Sequence, residues 1–360
     1  MNGRAKLVLI ASVLLAAVIS AVVARGQEEQ TLDATRGRFA DAGAGIRAIR
    51  RGRDGLYYIL TARRPDESPD AGGRSKSRKS SSNRTNPQGA LNSTVMVFDS
   101  QGKQVREIPA AAGPGALVSA SALDLDSSGR VYIADQAGNG VLIYTTAGAP
   151  FARFPVPEPT QIVALAGDRF AICSASGDHL ISVYDLHGAL LRQIGDFADL
   201  SDDPELKHRL NEGYLASDTA SNLYFAFRYL PEPTVRKYDS NSGSSLDELS
   251  ITTPDFEPMA QSARQEIARL ASGKAASPHE IISAMGVDAE TQELWLALGN
   301  LLMHFDSADN NTDSARAYTV TGARMVPDFI LAEKNDLLLG NAAFGTYEFS
   351  RKFHTNRSIR

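Results

Sequence analysis

The stretch from Ala122 to Ala147 limits the folds open to this chain more than any other feature, because its pattern returns along the sequence. Apolar residues alternate with other residues over 122–125 and again over 131–134, which is the period of a strand with two unlike faces. Between them Asp126 opens and Gly129 closes a tight turn, at positions that these residue types favour. Two further strands are predicted, at 141–144 and 151–156.

The third strand of this unit recurs six times, and every copy ends in an aromatic residue. The copies are Val97-Phe98-Asp99, Ile143-Tyr144, Val183-Tyr184-Asp185, Lys237-Tyr238-Asp239, His304-Phe305-Asp306 and Glu348-Phe349. A four-stranded sheet of this size cannot bury both faces alone, whereas a closed ring of such sheets hides every face. The sequence therefore predicts an all-β fold, a six-bladed β-propeller of four-stranded antiparallel blades over residues 37–350.

The clearest copy of the unit resembles the NHL-repeat-type six-bladed propellers. Their repeat has an apolar strand, Asp-x-x-Gly, a strand of the form apolar-Tyr-apolar-Ala-Asp, and a later strand that ends in an aromatic residue. Asp126, Gly129 and the segment 131–135 match that pattern, whereas the other copies keep mainly the hydrophobic frame. The resemblance implies the ring. It says little about activity, because unrelated functions share one fold, although some six-bladed propellers are lactonases, lyases or related hydrolases.

Residues 1–26 are predicted to be a signal peptide or an N-terminal membrane anchor. Arg4 and Lys6 precede an apolar run over 7–24, and small residues suited to cleavage follow it. The propeller is therefore expected in the periplasm or the extracellular space, or anchored in a membrane with the propeller outside the cytoplasm. The chain has a net charge of −5, which argues against nucleic acid as a partner.

Residues 27–36 are predicted to be a flexible leader, and residues 351–360 a basic tail. The last blade is short of an outer strand, so the region around Phe39 is expected to pair with it and close the ring. Cys173 is the chain's single cysteine, so an internal disulfide is impossible, and we interpret it as a small core residue. His187 and His304 occupy repeat positions and are interpreted as structural.

Three insertions interrupt the repeats. The segment 62–92 is rich in Arg, Lys, Ser and Gly and is predicted to be a disordered basic loop, either simply solvated or an electrostatic arm for an anionic partner. The segment 196–211 is predicted to contain a short helix that begins at Asp203-Pro204. The segment 252–283 is predicted to be a helical insertion between blades four and five, with a helix that ends at Gly273 and packs on the rim, and a second short helix from Ser277.

These insertions indicate where the function resides. In a propeller, the connections between the second and third strands and those between blades leave the ring on one face. All three insertions fall in such connections, and loops on a rigid scaffold carry function. The predicted binding face therefore surrounds the channel mouth on that side, and its candidate residues are Asp135, Asn139, Asp178, His179, Arg228, Asn300 and Asn341.

Two main functions are compatible with these residues. The first is an exported binding or scaffold module that holds a protein, peptide or glycan partner on this face. The alternative is a calcium-type metal-dependent hydrolase or lyase, lactonase-like, with oxygen ligands from Asp135, Asn300 or Asn341. Asp135 also has a structural interpretation, in which it caps the backbone of a loop. A third function, a membrane-anchored sensor, requires that residues 7–24 are retained. The sequence assigns no catalytic residue and predicts no cofactor other than the calcium of the alternative.

Overall fold

The computed structural model describes residues 30–33, 35–39, 42, 45–63, 92–108, 116–252, 254, 256–275, 277–306, 316–321, 326–334, 336–343 and 345–350. The predicted signal peptide or anchor, the interior of the basic loop at 64–91 and the basic tail lie outside these residues. Within the described part of the chain, no helix has the length and apolar character needed to cross a membrane.

The described residues form a six-bladed β-propeller, as the repeats predict. The first strand of each sheet contacts the first strand of the next, and the sixth contacts the first, so the inner strands close into a ring. Blade one contains β3 (Ile46–Arg51), β4 (Tyr57–Arg63), β5 (Asn92–Phe98) and β6 (Gln104–Ile108). Blade two contains β7 (Ala120–Leu125), β8 (Val131–Asp135), β9 (Gly140–Tyr144) and β10 (Pro150–Pro155). Blade three contains β11 (Pro159–Leu165), β12 (Arg169–Ser174), β13 (Ile181–Asp185) and β14 (Leu190–Ile194).

Blades four to six complete the ring. Blade four contains β15 (Gly213–Ser217), β16 (Asn222–Phe227), β17 (Thr234–Asp239) and β18 (Ser245–Ser250). Blade five contains β19 (Ala284–Val287), β20 (Leu294–Leu298), β21 (Leu301–Phe305) and β22 (Arg316–Thr321). Blade six contains β23 (Phe329–Ala332), β24 (Asp336–Asn341) and β25 (Gly345–Ser350). Apolar clusters lie between neighbouring blades, for example Trp295 and Tyr318 of blade five against Ile330 and Leu339 of blade six. These contacts bury the sheet faces that a lone blade would expose.

Two N-terminal strands add to the last two blades: one is the fourth strand of blade six, and the other is a fifth strand on blade five, beyond the four that were predicted. β2 (Thr35–Arg36) pairs antiparallel with β25, and β1 (Gln30–Asp33) pairs parallel with β22. The predicted closure of the ring is therefore confirmed, with the pairing slightly before Phe39. The flexible leader predicted over 27–36 is wrong for the paired residues, because the outer strands of the last two blades offer unpaired backbone groups that these strands satisfy.

Phe39 is the hydrophobic anchor of this closure. It is fully buried, and its ring lies 4.8 Å from that of Tyr57 and 5.6 Å from that of Phe98, measured between centroids. The Arg38 Nε atom donates a hydrogen bond of 2.7 Å to Glu348 Oε1 of the last blade. One short segment thus joins the last blade to the first.

Two helices lie in the insertions that join blades. α1 (Pro204–Leu210) has Asp203 as its N-cap, and the Asp203 side chain accepts a hydrogen bond from the Leu206 amide, as predicted. α2 (Glu257–Ala271) buries Ala260 and Ala263, and Ala263 packs in the apolar cluster of blades four and five, so the predicted packing of the helix on the propeller is confirmed. The second helix predicted from Ser277 is wrong.

The segment after Ser277 is irregular because it is tied to a neighbouring connection. The amide of Ile281 donates to the Arg228 carbonyl at 2.7 Å, a bond between distant segments that replaces one within a helix. Cys173 is buried in the core, as predicted, and burial raises the pKa of its thiol.

Candidate functional site

One face of the ring carries all three insertions, and we call it the insertion face. Because the strands of each blade alternate in direction, the end of β4, the start of β5 and the connections 195–212 and 251–283 leave the ring on the same side. The predicted placement of the insertions is confirmed for their described ends. The insertion face therefore contains the six connections between blades and the turns between second and third strands.

Arg228 forms the centre of a charged cluster at the channel mouth on this face. Its Nε atom donates to Glu280 Oε1 at 2.7 Å, and its Nη1 atom lies 3.6 Å from Glu212 Oε2. Its guanidinium group stacks on the rings of Tyr214 and Tyr229, with its carbon 5.4 and 5.2 Å from the ring centroids. Arg228 is thus the one sequence-predicted candidate that the structure places in a connected polar cluster.

Two other bonds fix this cluster to the inner strands. The Tyr214 hydroxyl lies 2.8 Å from Glu280 Oε1 and 2.5 Å from the Ser283 carbonyl oxygen, and these two acceptors share its single proton. Tyr214 comes from blade four, whereas Ser283 immediately precedes the inner strand of blade five. The cluster therefore bridges two blades through side chains that packing and hydrogen bonds hold in place.

The acids of this mouth are partly dehydrated. Desolvation by burial raises the pKa of Glu212, although Arg228 and Arg209 oppose the shift. Desolvation likewise raises the pKa of Asp328, which accepts a hydrogen bond of 2.8 Å from the Ala342 amide and lies near Glu280. Burial at this mouth therefore costs free energy for the charged form of these carboxylates. Carboxylates in such surroundings are typical of sites that bind a cation or a hydrogen-bond donor.

Four residues of the cluster were not predicted from the sequence: Glu212, Glu280, Asp328 and Tyr214. A positional signal was available, because Glu212 and Asp328 directly precede the inner strands β15 and β23. In a propeller, the residue just before an inner strand lies at the channel mouth, because the inner strands line the channel. The predicted candidates all lie in or next to the turns between second and third strands, and only Arg228 among them reaches the cluster.

Three other candidates form hydrogen bonds with loop backbone. The two carboxylate oxygens of Asp135 accept from the amides of Val118 and Ser119 at 2.9 and 2.8 Å, which is the capping role considered from the sequence. Asn139 Oδ1 accepts from the Glu158 amide at 3.1 Å, and Asn341 bonds backbone on both sides of its amide group. These side chains hold the connections in shape.

The remaining candidates lie in separate connections on the same face. Asp178 is exposed and His179 half-buried in the connection 175–180 of blade three. Asn300 is half-buried in the short turn between β20 and β21. The three proposed calcium ligands, Asp135, Asn300 and Asn341, therefore belong to three different blades, and two of them already bond backbone amides.

The opposite mouth of the channel opens into a large cavity, which we call the turn-side cavity. It has a volume of about 780 Å³, and the ends of the six inner strands and the turns that follow them line it. Arg50 of blade one donates from Nε to Asp124 Oδ1 of blade two at 3.2 Å, and Asp124 Oδ2 accepts from the Ala164 amide of blade three at 2.8 Å. None of the predicted site residues lies on this side of the ring.

One group of side chains has the composition of a metal site. Glu293, His304 and Asp306 present ligand atoms that all lie within 4.8 Å of one another, in a search restricted to the described residues. His304 is buried and stacks on Trp295, with 4.3 Å between ring centroids. The packing fits the structural role interpreted from the sequence, and the group lies at the turn-side end of blade five, away from the insertion face.

Comparison with known proteins supports the fold. No protein-family model matches this chain, and no curated protein matches it at a significant level. The NHL-type character of the repeat is therefore not confirmed. A streptogramin B lyase structure aligns with a TM-score of 0.50 and 11% identity, over 86% of this chain and 84% of that one.

Two further solved structures match equally well. The β-propeller domain of Cps50 (Swd1) from Myceliophteria thermophila has a TM-score of 0.50 at 11% identity, over 88% of this chain and 85% of that one. A protein of unknown function from Bacteroides thetaiotaomicron has a TM-score of 0.50 at 14% identity, over 85% and 69%. At these identities the similarity establishes the propeller fold, which unrelated functions share.

Proposed function

We propose that this protein is an exported binding propeller that holds a partner on its insertion face, at the channel mouth around Arg228. The observation that carries the proposal is the position of the Arg228 cluster. It lies on the same face as the insertions, and α2 extends this surface through an ion pair between Arg264 and Glu232. A rigid ring with its additions on one side is a common arrangement for recognition.

Among protein, peptide and glycan partners, the chemistry of the mouth favours a protein or peptide. Glu212, Glu280 and Asp328 supply three carboxylates that attract a basic side chain or an amino terminus. Val118 and Val326 are exposed on connections of the same face and offer apolar contact beside these charges. Export through residues 1–26 belongs to the same proposal and places the partner outside the cytoplasm.

Photo-crosslinking on two faces tests the proposal. Val326 on the insertion face and Leu246 on the outer strand of blade four have similar exposure, 46% and 51%. A photoreactive phenylalanine analogue at Val326 in the full chain, expressed in its host, should trap a partner outside the cytoplasm, whereas the same analogue at Leu246 should not. Equal trapping at both positions, or trapping at Leu246 alone, would contradict the proposal.

The alternative function, a calcium-dependent hydrolase or lyase at the same mouth, is retained because the mouth is rich in carboxylates. Calcium prefers such oxygen ligands. If the alternative holds, added Ca²⁺ should raise the melting temperature of the purified protein, and EDTA should reverse the shift. Glu212→Gln should weaken this response. An unchanged melt with Ca²⁺ and EDTA would remove the alternative.

A further inference from the structure

We propose that the turn-side cavity is a second ligand site, which takes a small amphipathic anion. The acidic head of the ligand lies against Arg51, Arg53 and Lys334, and its apolar part lies against Val163, Met285 and Val287. This site is on the face opposite to the Arg228 cluster. The proposal is therefore independent of the proposed function.

The size of the cavity suits a small molecule. Its volume of about 780 Å³ lies within the range of about 300–1,000 Å³ that is usual for ligand pockets. All six blades contribute to the wall, so the shape is set by the ring itself and not by a single loop.

One side of the wall is apolar. Val163 of blade three and Met285 of blade five are buried, and Val287 and Ala216 are partly buried beside them. These side chains come from the inner strands of blades three, four and five, which are consecutive in the ring. Binding is therefore favourable when an apolar group of the ligand replaces water against this half of the cavity.

The other side of the wall supplies cations. Arg51 ends the inner strand of blade one and Arg53 follows it, and Lys334 follows the inner strand of blade six, the neighbouring blade. All three are exposed, and Arg53 and Lys334 have no ion pair among the described residues. Arg51 lies 3.3 Å from Glu333 but keeps 49% of its side chain exposed. These groups are placed to bind an anion.

Among the described residues, the wall contains six acidic side chains against four basic ones, and five of the acids accept hydrogen bonds from neighbours: Asp124, Asp126, Asp218, Asp288 and Glu333. Asp126 accepts from Arg130 and from the Tyr132 hydroxyl, at 2.5 and 3.0 Å. Asp218 accepts from Asn222 and from the Tyr224 hydroxyl, at 2.8 and 3.2 Å. Bonds of this kind offset the charge of a carboxylate and fix it in its own turn. The exposed acid Glu290 lies in the turn of blade five, so the anion is expected on the side of blades six and one.

Fluorescence titration with 8-anilinonaphthalene-1-sulfonate tests this proposal on the full folded chain. The probe carries one sulfonate on an apolar body, and we expect a single saturable site. The double variant Arg53→Glu with Lys334→Glu should raise the Kd about tenfold or more, as expected for the loss of charge-assisted contacts. Glu290→Gln, in the same wall, is the matched control and should not raise it.

A filling variant and a neutral probe complete the test. Ser127→Trp adds bulk at an exposed turn of the cavity, and it should lower the binding amplitude without lowering the melting temperature. N-phenyl-1-naphthylamine is apolar and uncharged, so it should bind more weakly than the sulfonate. Its Kd should be the same in the wild-type protein and in the Arg53/Lys334 variant. Equal Kd values for the sulfonate in the wild-type protein and the Arg53/Lys334 variant would overturn the proposal, as would an unchanged amplitude in Ser127→Trp.

Discussion

Arg50 Nε lies 3.2 Å from Asp124 Oδ1, and this pair joins the inner strands of blades one and two inside the channel. Asp124 also accepts from the Ala164 amide, so one carboxylate connects three consecutive blades. The pair is mostly withdrawn from solvent, with exposed side-chain fractions of 26% and 16%. Burial raises the pKa of Asp124, while Arg50 and the backbone donors oppose that shift.

The first prediction follows from this pair. Asp124→Ala should lower the free energy of unfolding by about 2 kcal/mol or more, because it leaves the guanidinium of Arg50 and the Ala164 amide without their acceptor. Asp124→Asn keeps the shape and one acceptor and should cost less. Urea unfolding measures the difference. Lys207→Ala removes an ion pair with the exposed Asp199 and, as a control, should change stability by about 0.5 kcal/mol or less.

The second prediction concerns acid stability through Asp126. Desolvation raises its pKa, but hydrogen bonds from Ser128, Arg130 and Tyr132 together outweigh that effect and hold the pKa below the ordinary value of 3.8. Since the folded form keeps this carboxylate ionised more readily than the unfolded chain, its contribution is present above about pH 4 and is lost as pH falls through the folded pKa. Asp126→Asn should therefore be less stable than the wild-type protein at pH 7.

The measurement for Asp126 is the difference in unfolding free energy between the wild-type protein and Asp126→Asn at several pH values. The difference should shrink below pH 4 because protonation removes the same charge from the wild-type protein. A difference that stays constant between pH 7 and pH 3 would contradict this account.

The third prediction concerns the closure of the ring. Phe39→Ala should lower the free energy of unfolding by about 3 kcal/mol, because it opens a cavity against Tyr57 and Phe98. Phe151 provides a matched control, since 49% of it is exposed, and Phe151→Ala should cost about 0.5 kcal/mol or less. Deletion of residues 27–42 should lower the melting temperature by many degrees. A melt unchanged by the deletion would mean that the ring closes without this segment.

The fourth prediction concerns the single thiol. Burial raises the pKa of Cys173, so the native protein should not react with Ellman's reagent at pH 8. The thiol should react fully once the protein is unfolded in guanidinium chloride. Rapid reaction of the native protein would show that the strand of Cys173 opens readily, or that the residue is not in the core.

The local pattern of apolar residues was sufficient to predict the strands and their grouping. The aromatic residue at the end of the third strand is buried in five of the six blades, as in Tyr144 and Phe305, whereas Tyr184 of blade three is half-buried. Asp203 before α1 was equally readable, because an N-cap depends on a few neighbouring residues. Signals of this kind act over a few residues, and the sequence therefore contains them directly.

The candidate site was harder to predict. Asp135 and Asn341 have the residue types of metal ligands. The Asp135 oxygens accept from amides of another connection, and Asn341 Nδ2 donates to the Val326 carbonyl of another connection, so nothing in the local sequence reveals those partners. Glu212 and Asp328 lie 116 residues apart in the chain, yet both are near Arg228. Their proximity depends on closure of the ring, which no single repeat contains.

The sequence by itself determined the six repeats, the direction of their strands and hence the face that receives the insertions, since alternation and turn residues are local properties. Only the tertiary structure decided which side chains meet at either mouth and where the ring closes. The structure pairs Thr35 and Arg36 with the last blade, whereas the sequence around these residues was predicted to be a flexible leader. The physical reason is that the strand edge of the last blade and the spaces between blades exist only once the ring forms. Pairing the backbone groups of that edge and burying the sheet faces then determine which residues meet.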